Sequence, residues 1–312
     1  MAIWAARRLD VDAGRIGVWK ERLRRAPPYP VADGLFSVVM RKDGTPEPTD
    51  HFQWQDSNLS GVFPYGSIGL GSPAAERRMA EATFARYRYN PDAGHEYLPL
   101  IAARLGLAEG WRGALYQFVQ FFQCYDQGLF HYYSIVGNKD EELGNHKDLH
   151  PYLESSGIFS GSINEMLLQS HEGLIRVFPA TPERWPARFV LRAVGSFMVA
   201  SEHRGRAGVP YILVEPVGGA ERECRVAIPW PRGVEVRAGG RAVSFRRSGT
   251  TVVFHAKPGI VYALTPKGTK LADVPVVPIE PRTDGSPARV GMTWYGLRKR
   301  GANGHTLTFP LW

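Results

Sequence analysis

Glu154 is the residue of this chain whose setting most suggests chemistry. It precedes Ser155-Ser156-Gly157, small residues that leave a carboxylate open to a ligand. The surrounding stretch, Leu149 to Ala180, continues through Asn164, Glu165 and Gln169 to His171-Glu172-Gly173, and ends on Phe178-Pro179-Ala180. A carboxylate beside small polar residues at a helix start can offer an acid group to a substrate. It can equally be an ordinary helix cap, and the residues alone leave both readings open. Glu165 and Gln169 share a helical face at i, i+4; among Met166, Leu167 and Leu168 they read as structural. His171-Glu172-Gly173 reads as a C-terminal cap in which glycine ends the helix. His146, Asp148 and His150 crowd one loop without a recognised ligand spacing, so no metal is expected, and no cofactor either.

The elements that must hold these groups fall into two textures. Ser72-Pro73 predicts a helix start, followed by a helix over Ala74 to Arg88. Helical spacing continues over Glu96 to Leu105 and Gly110 to Gln123, with Leu115, Phe118, Val119 and Phe122 on one face. A last helix is expected over Ile158 to Ser170. Before these lie a helical stretch to about residue 30, a proline-rich linker (Pro27, Pro28, Pro30) and an irregular loop from His51 to Gly71. After Pro186 the pattern changes to short β-like runs, including Phe189 to Ala200, Val209 to Val217, Glu223 to Ile228 and Thr251 to His255. Glycine-rich turns separate them at the spacing of a β-sandwich. The expected division is a helical domain over 1–185, an all-β sandwich over 186–270 and a Pro/Gly-rich tail over 271–312.

The chain of 312 residues is long enough for two domains, and its 44% hydrophobic and 22% charged residues are those of an ordinary globular protein. Aromatic residues make up 12%. Ring faces suit sugar C–H faces, although core packing is the commoner use of any one of them. The net charge of +8 invites a test for nucleic-acid binding. The basic residues are scattered, and none interleave with aromatics as on an RNA-reading sheet. They read as solvated surface, so neither a nucleic acid nor a membrane is an expected partner. Cys124 and Cys224 give no disulfide or zinc framework. No apolar run reaches membrane-spanning length, and the first residues as written lack the apolar stretch of a signal peptide.

The segment Glu165-Met166-Leu167-Leu168-Gln169-Ser170-His171-Glu172-Gly173 resembles the region around the catalytic acidic residue of glycoside hydrolase family 95, the α-L-fucosidase relatives. In that family an acidic residue stands eleven positions before the near-identical helix, and counting back from Glu165 gives Glu154. The family residue is usually an aspartate that activates water, followed by glycine-asparagine-phenylalanine. Here it is a glutamate followed by Ser155-Ser156-Gly157, the pattern of a divergent relative. Trp19 to Val31 is similar to the family's linker ahead of the acid-bearing loop. Asn58-Leu59-Ser60-Gly61-Val62-Phe63-Pro64 is similar to its pocket-lining histidine-rich segment, and residues from about 190 onward to its C-terminal β-sandwich.

The resemblance implies a partial (α/α)6 barrel, its second half, followed by an all-β sandwich. It implies hydrolysis of a terminal α-L-fucoside or L-galactoside bond with inversion, and a glycoside or oligosaccharide as partner. Inversion needs an ionised base and a protonated acid roughly 6.5–9.5 Å apart. Glu154 is the base. The family's acid is a glutamate followed by tryptophan, whereas here Trp54 follows Gln53. Glu47, Asp50 and Asp56 are then the candidates for the acid. Trp54, Asn58, His146 and His150 are the candidate substrate-binding residues: Asn58 stands where the family has a histidine, and His150-Pro151 matches the lead-in to the acidic residue. A half barrel would leave apolar helix faces open, so a homo-oligomer or a missing N-terminal half is expected. The alternative is a non-catalytic carbohydrate-binding or structural remnant, which Gln53 beside Trp54 and the lack of the family's water-orienting asparagines favour.

Overall fold

A computed structural model describes residues 2–38, 41–47, 54–86, 97–122, 130, 152–270, 288–290 and 293–295. The chain forms two compact units, Met1–Thr49 and Asp50–Trp312. The first contains α1 (Ala2–Leu9), α2 (Ile16–Arg24) and a small hairpin of β1 (Val31–Ala32) with β2 (Leu35–Phe36). Within it the Glu21 carboxylate bonds both Arg24 and Arg25 on the α2 surface. Trp4, Leu9 and Leu23 are exposed, while Ala6 and Phe36 are buried.

The second unit mixes helices and sheets. Its helices among the described residues are α3 (Ala74–Arg86), α4 (Leu98–Arg104), α5 (Ala108–Phe122) and α6 (Leu153–Leu167). On α5 the residues Trp111, Leu115, Phe118, Val119 and Phe122 recur at helical spacing and form one buried stripe. That stripe packs with Leu100, Ala103, Ile158 and Phe159 in a core shared by α4, α5 and α6. The Trp111 indole N–H donates to the Ser162 carbonyl at 3.1 Å, so the largest core residue also fixes α5 against α6. Gly161 lets α4 come close: a Cβ there would lie 3.3 Å from Leu100.

The later strands, in chain order, are β3 (Leu168–Gln169), β4 (Ile175–Val177), β5 (Pro186–Ala193), β6 (Phe197–Arg204), β7 (Ile212–Pro216), β8 (Arg222–Ala227), β9 (Val234–Ala238), β10 (Arg241–Ala242), β11 (Arg246–Ser248), β12 (Thr251–Ala256) and β13 (Tyr262–Pro266). One sheet has the order β10-β9-β13-β7-β6-β5 and the other β11-β12-β8-β4-β3. Pairing is antiparallel except between β4 and β8. Alternation along the strands turns Phe197 and Val199 of β6, Ile212 and Val214 of β7, and Val252 and Phe254 of β12 into one apolar core supplied by both sheets. Each such large side chain contributes about 1.5–3 kcal/mol on burial. A separate hairpin pairs β14 (Ala288–Val290) with β15 (Thr293–Tyr295); the rest of the expected tail lies outside the described residues.

Three local expectations change. The last helix starts at Leu153 and ends at Leu167, so Glu154 sits in its first turn. Leu168 and Gln169 leave the helix and pair with β4, because Leu168 and Ile175 are claimed by the core between the sheets. His171-Glu172-Gly173 is therefore the turn of a β3–β4 hairpin, with Gly173 at φ 68°, and not a helix cap. The expected single run Phe189 to Ala200 is two strands. Gly195 (φ 86°) and Ser196 (φ 60°) turn the chain between them.

Candidate functional site

An open cleft of about 670 Å³ runs along α6. Glu154, Ile158, Gly161 and Glu165 recur along one helix face and line it. Across from them stand Phe63, Tyr97 and Arg104, with His171 and Arg192 supplied from the strands. The start of α6 explains why Glu154 is presented there. Tyr152 is the N-cap residue and makes no side-chain cap bond. Ser155 is buried beside Glu154, so the first turn is anchored while the carboxylate is exposed. Glu154 has no ion-pair or hydrogen-bond partner among the described residues, and in the first turn its charge complements the helix N-terminus.

Glu165 is handled differently. Its Oε1 accepts from Arg104 Nη2 at 2.9 Å, and both side chains are largely covered. Arg104 also donates to the Val62 carbonyl at 3.2 Å, and its guanidinium lies 4.9 Å from the centre of the Phe63 ring. On the other side His171 sits between two carboxylates, Nδ1 being 4.0 Å from Glu165 and Nε2 4.0 Å from Glu172. Glu172 is in turn held by Arg176 at 2.5 Å and by the Gly71 N–H at 3.3 Å. The absence of a side chain at Gly71 leaves room for this, since a Cβ would come within 2.6 Å of the Glu172 carboxylate and push it aside. Glu165 Oε2 and both His171 ring nitrogens are buried without a hydrogen-bond partner among the described residues. Burial first, then the charge of Arg104, hold the His171 imidazole below its ordinary value, against the pull of Glu165 and Glu172. The ring is therefore neutral near pH 7.

Glu154 and Glu165 do not form a carboxylate pair suited to inversion. Eleven residues at about 1.5 Å each put them roughly 16 Å apart along the axis, well beyond the roughly 6.5–9.5 Å that leaves room for one water. Glu165 organises the cleft wall through Arg104, and Glu154 is the carboxylate left open to the cleft.

The remaining expected residues are placed as follows. Glu47 belongs to the unit Met1–Thr49 and is exposed, with its backbone carbonyl accepting from Ser37 Oγ at 2.6 Å. Asp50, His146 and His150 lie outside the described residues. Trp54 and Asp56 lie on a 3-10 helix, Trp54–Leu59, of which only the backbone is described at those two positions. Asn58, on the same turn, is buried. Among the described residues no cluster of His, Cys, Asp and Glu could hold a metal, and no helix is long and apolar enough to cross a membrane. The residues that sequence reasoning missed are Arg104, Tyr97 and Arg192. Arg192 had a signal, since it occupies an outward position in the in–out alternation of β5. Arg104 meets Glu165 across 61 residues of chain, which no local pattern encodes.

No protein-family profile matches the chain, and no curated protein matches it. Among solved structures it is similar to a GH127 β-arabinofuranosidase at 12% identity with a TM-score of 0.25. That match covers 76% of this chain and 36% of the other, so the chain spans about a third of that structure's length.

Proposed function

We propose that this chain is a carbohydrate-active protein of the glycoside hydrolase type, related to family 95, that holds a terminal sugar in the cleft along α6. The observation that supports the reading best is Glu154, a carboxylate without a partner among the described residues on the wall of an open cleft that also offers aromatic rings and fixed polar groups. A cleft of this size with a few convergent polar groups is the usual form of a small-ligand site. In the proposed reaction Glu154 takes a proton from water as that water attacks the anomeric carbon, and a second carboxylic acid protonates the leaving oxygen. Glu47, Asp50 and Asp56 remain the candidates for that acid. An α-L-fucoside or L-galactoside is the expected substrate, the helices are read as half of an (α/α)6 barrel, and the two sheets as its sandwich.

A second reading is carbohydrate binding without turnover. The capture of Glu165 by Arg104 favours it, because one free carboxylate remains on the cleft wall among the described residues. Assay of aryl α-L-fucoside and α-L-galactoside separates the two. If Glu154 is the base, Glu154→Gln lowers kcat by about 10²–10⁴-fold with the circular dichroism spectrum unchanged. Sugar binding without turnover in the unaltered chain would leave only the second reading.

A further inference from the structure

A second cleft, of about 590 Å³, lies in the strand-rich part and shares no residue with the first. Its lining includes Phe178, His203, Arg204, Trp230, Pro266 and Thr269. Two of these side chains are fixed in ways that decide what they can bind. Trp230 donates its indole N–H to the Val209 carbonyl at 2.7 Å and packs against the core between the sheets. With its one polar atom satisfied, the ring presents carbon to the cleft. His203 lies on β6 with Nδ1 2.7 Å from the Trp185 carbonyl. A carbonyl only accepts, so Nδ1 carries the proton, and Nε2 of the neutral ring is a lone-pair acceptor. Nε2 has no hydrogen-bond partner among the described residues.

The His203 ring is backed by Phe178, with ring centres 5.4 Å apart, and Phe178 also packs on Phe189 at 5.1 Å. Phe178 holds this position with φ at 53°, a left-handed backbone uncommon for a bulky residue, while its N–H bonds the Leu167 carbonyl at 2.7 Å. Arg204, beside His203, spends its charge on Glu202 at 2.9 Å.

We infer that this cleft is a second saccharide-binding site, taking a neutral sugar ring whose C–H face lies on Trp230 and one of whose hydroxyls donates to His203 Nε2. The groups offered, an oriented carbon face and a ring-nitrogen acceptor, match a pyranose, which has both a C–H face and O–H donors. A proline-rich peptide is the less fitting occupant, because aromatic grooves that hold one also use a ring N–H as donor, and here that N–H is bonded to Val209. An anionic ligand finds Arg204 already paired. The inference does not depend on what happens at Glu154.

The test titrates the full chain with cellotetraose, xylotetraose, mannotetraose and, as contrasts, a homogalacturonan tetramer and AMP. The indole N–H resonance of Trp230 reports the site, assigned from its loss in Trp230→Phe. At least one neutral tetrasaccharide is expected to shift that resonance. Isothermal titration calorimetry compares the variants, since those at position 230 lack the reporter: Trp230→Ala should weaken binding about tenfold, the loss of one ring–sugar stack, and His203→Ala should weaken it as well. Trp230→Phe, which keeps a ring on the core, should retain most of the affinity, and an unchanged circular dichroism spectrum of Trp230→Ala separates loss of the stack from unfolding. Glu154→Gln should leave the titration unchanged. The inference is overturned if no neutral tetrasaccharide moves the Trp230 signal, if Trp230→Ala binds as well as the unaltered chain, or if only AMP or the galacturonan binds.

Discussion

His171 is the most heavily constrained titratable group on the cleft wall. It faces Glu165 and Arg104 from the helices and Glu172 and Arg176 from its own hairpin. With its folded-state value below the ordinary 6.5, the unfolded chain takes up the proton first as pH falls. Stability from this residue is therefore complete above about pH 6.5 and is lost as pH drops below it. His171→Asn removes that linkage. The urea midpoint of the unaltered chain should fall between pH 7 and 5 more steeply than that of the variant; parallel curves would show that the ring is not held neutral. At this scale part of the site is legible in sequence. Glu154 and Glu165 lie eleven residues apart, three helical turns, and so share a face. The different roles of the two carboxylates are not legible, because Arg104 decides them from another helix, as Arg176 and the Gly71 N–H decide that of Glu172.

The element that brings Arg104 to the cleft is the short helix α4, and its end is set by one glycine. Gly106 N–H bonds the Ala103 carbonyl at 3.0 Å and Leu107 N–H bonds that of Ala102 at 2.9 Å, with Gly106 at φ 73°. This is the paired closure that calls for a left-handed residue after a helix. A Cβ there would lie 3.0 Å from Leu70 and 3.3 Å from the Pro179 carbonyl, so strain and crowding act together. Gly106→Ala should cost about 1–3 kcal/mol. Gly113, inside α5, has nothing within 4 Å of its missing Cβ. Gly113→Ala should therefore stabilise the chain by up to about 1 kcal/mol. Chemical denaturation of both variants checks the pair, and equal effects would show that neither position is understood. Elements with a strong local period were readable in the sequence, as with the Leu115, Phe118, Val119 and Phe122 stripe of α5. The end of α6 was not. Met166-Leu167-Leu168 continues an apolar run that local pattern cannot divide, and the division comes from Ile175 pairing across to Val226 of β8. The turn at Gly195-Ser196 was hidden in the same way, inside a run of residues that all suit a strand.

Across the molecule, the two apolar cores belong entirely to residues after Asp50. Within Met1–Thr49 the described buried side chains are Ala6, Phe36 and Ser37, so that unit has little apolar burial of its own to set against chain entropy. Its Arg24–Glu21 and Arg25–Glu21 pairs are surface contacts, of a kind that adds little. A chain beginning at Asp50 should therefore keep a single cooperative thermal transition. Its midpoint should lie within about 4 °C of the full chain, the shift expected for roughly 1 kcal/mol in a domain of this size. Scanning calorimetry of both chains measures this. A drop of more than about 10 °C, or a broad transition, would show that the second unit does not hold its stability alone. The change of texture at Pro186 told where strands dominate. It did not tell that β3 and β4, from before Pro186, complete the smaller sheet, because the parallel pairing of β4 with β8 joins segments whose local patterns carry no sign of each other. The core between the sheets depends on that joining through Leu168, Ile175 and Val177. A cut made at Pro186 should therefore unfold the strand-rich part, whereas a cut at Asp50 leaves it intact.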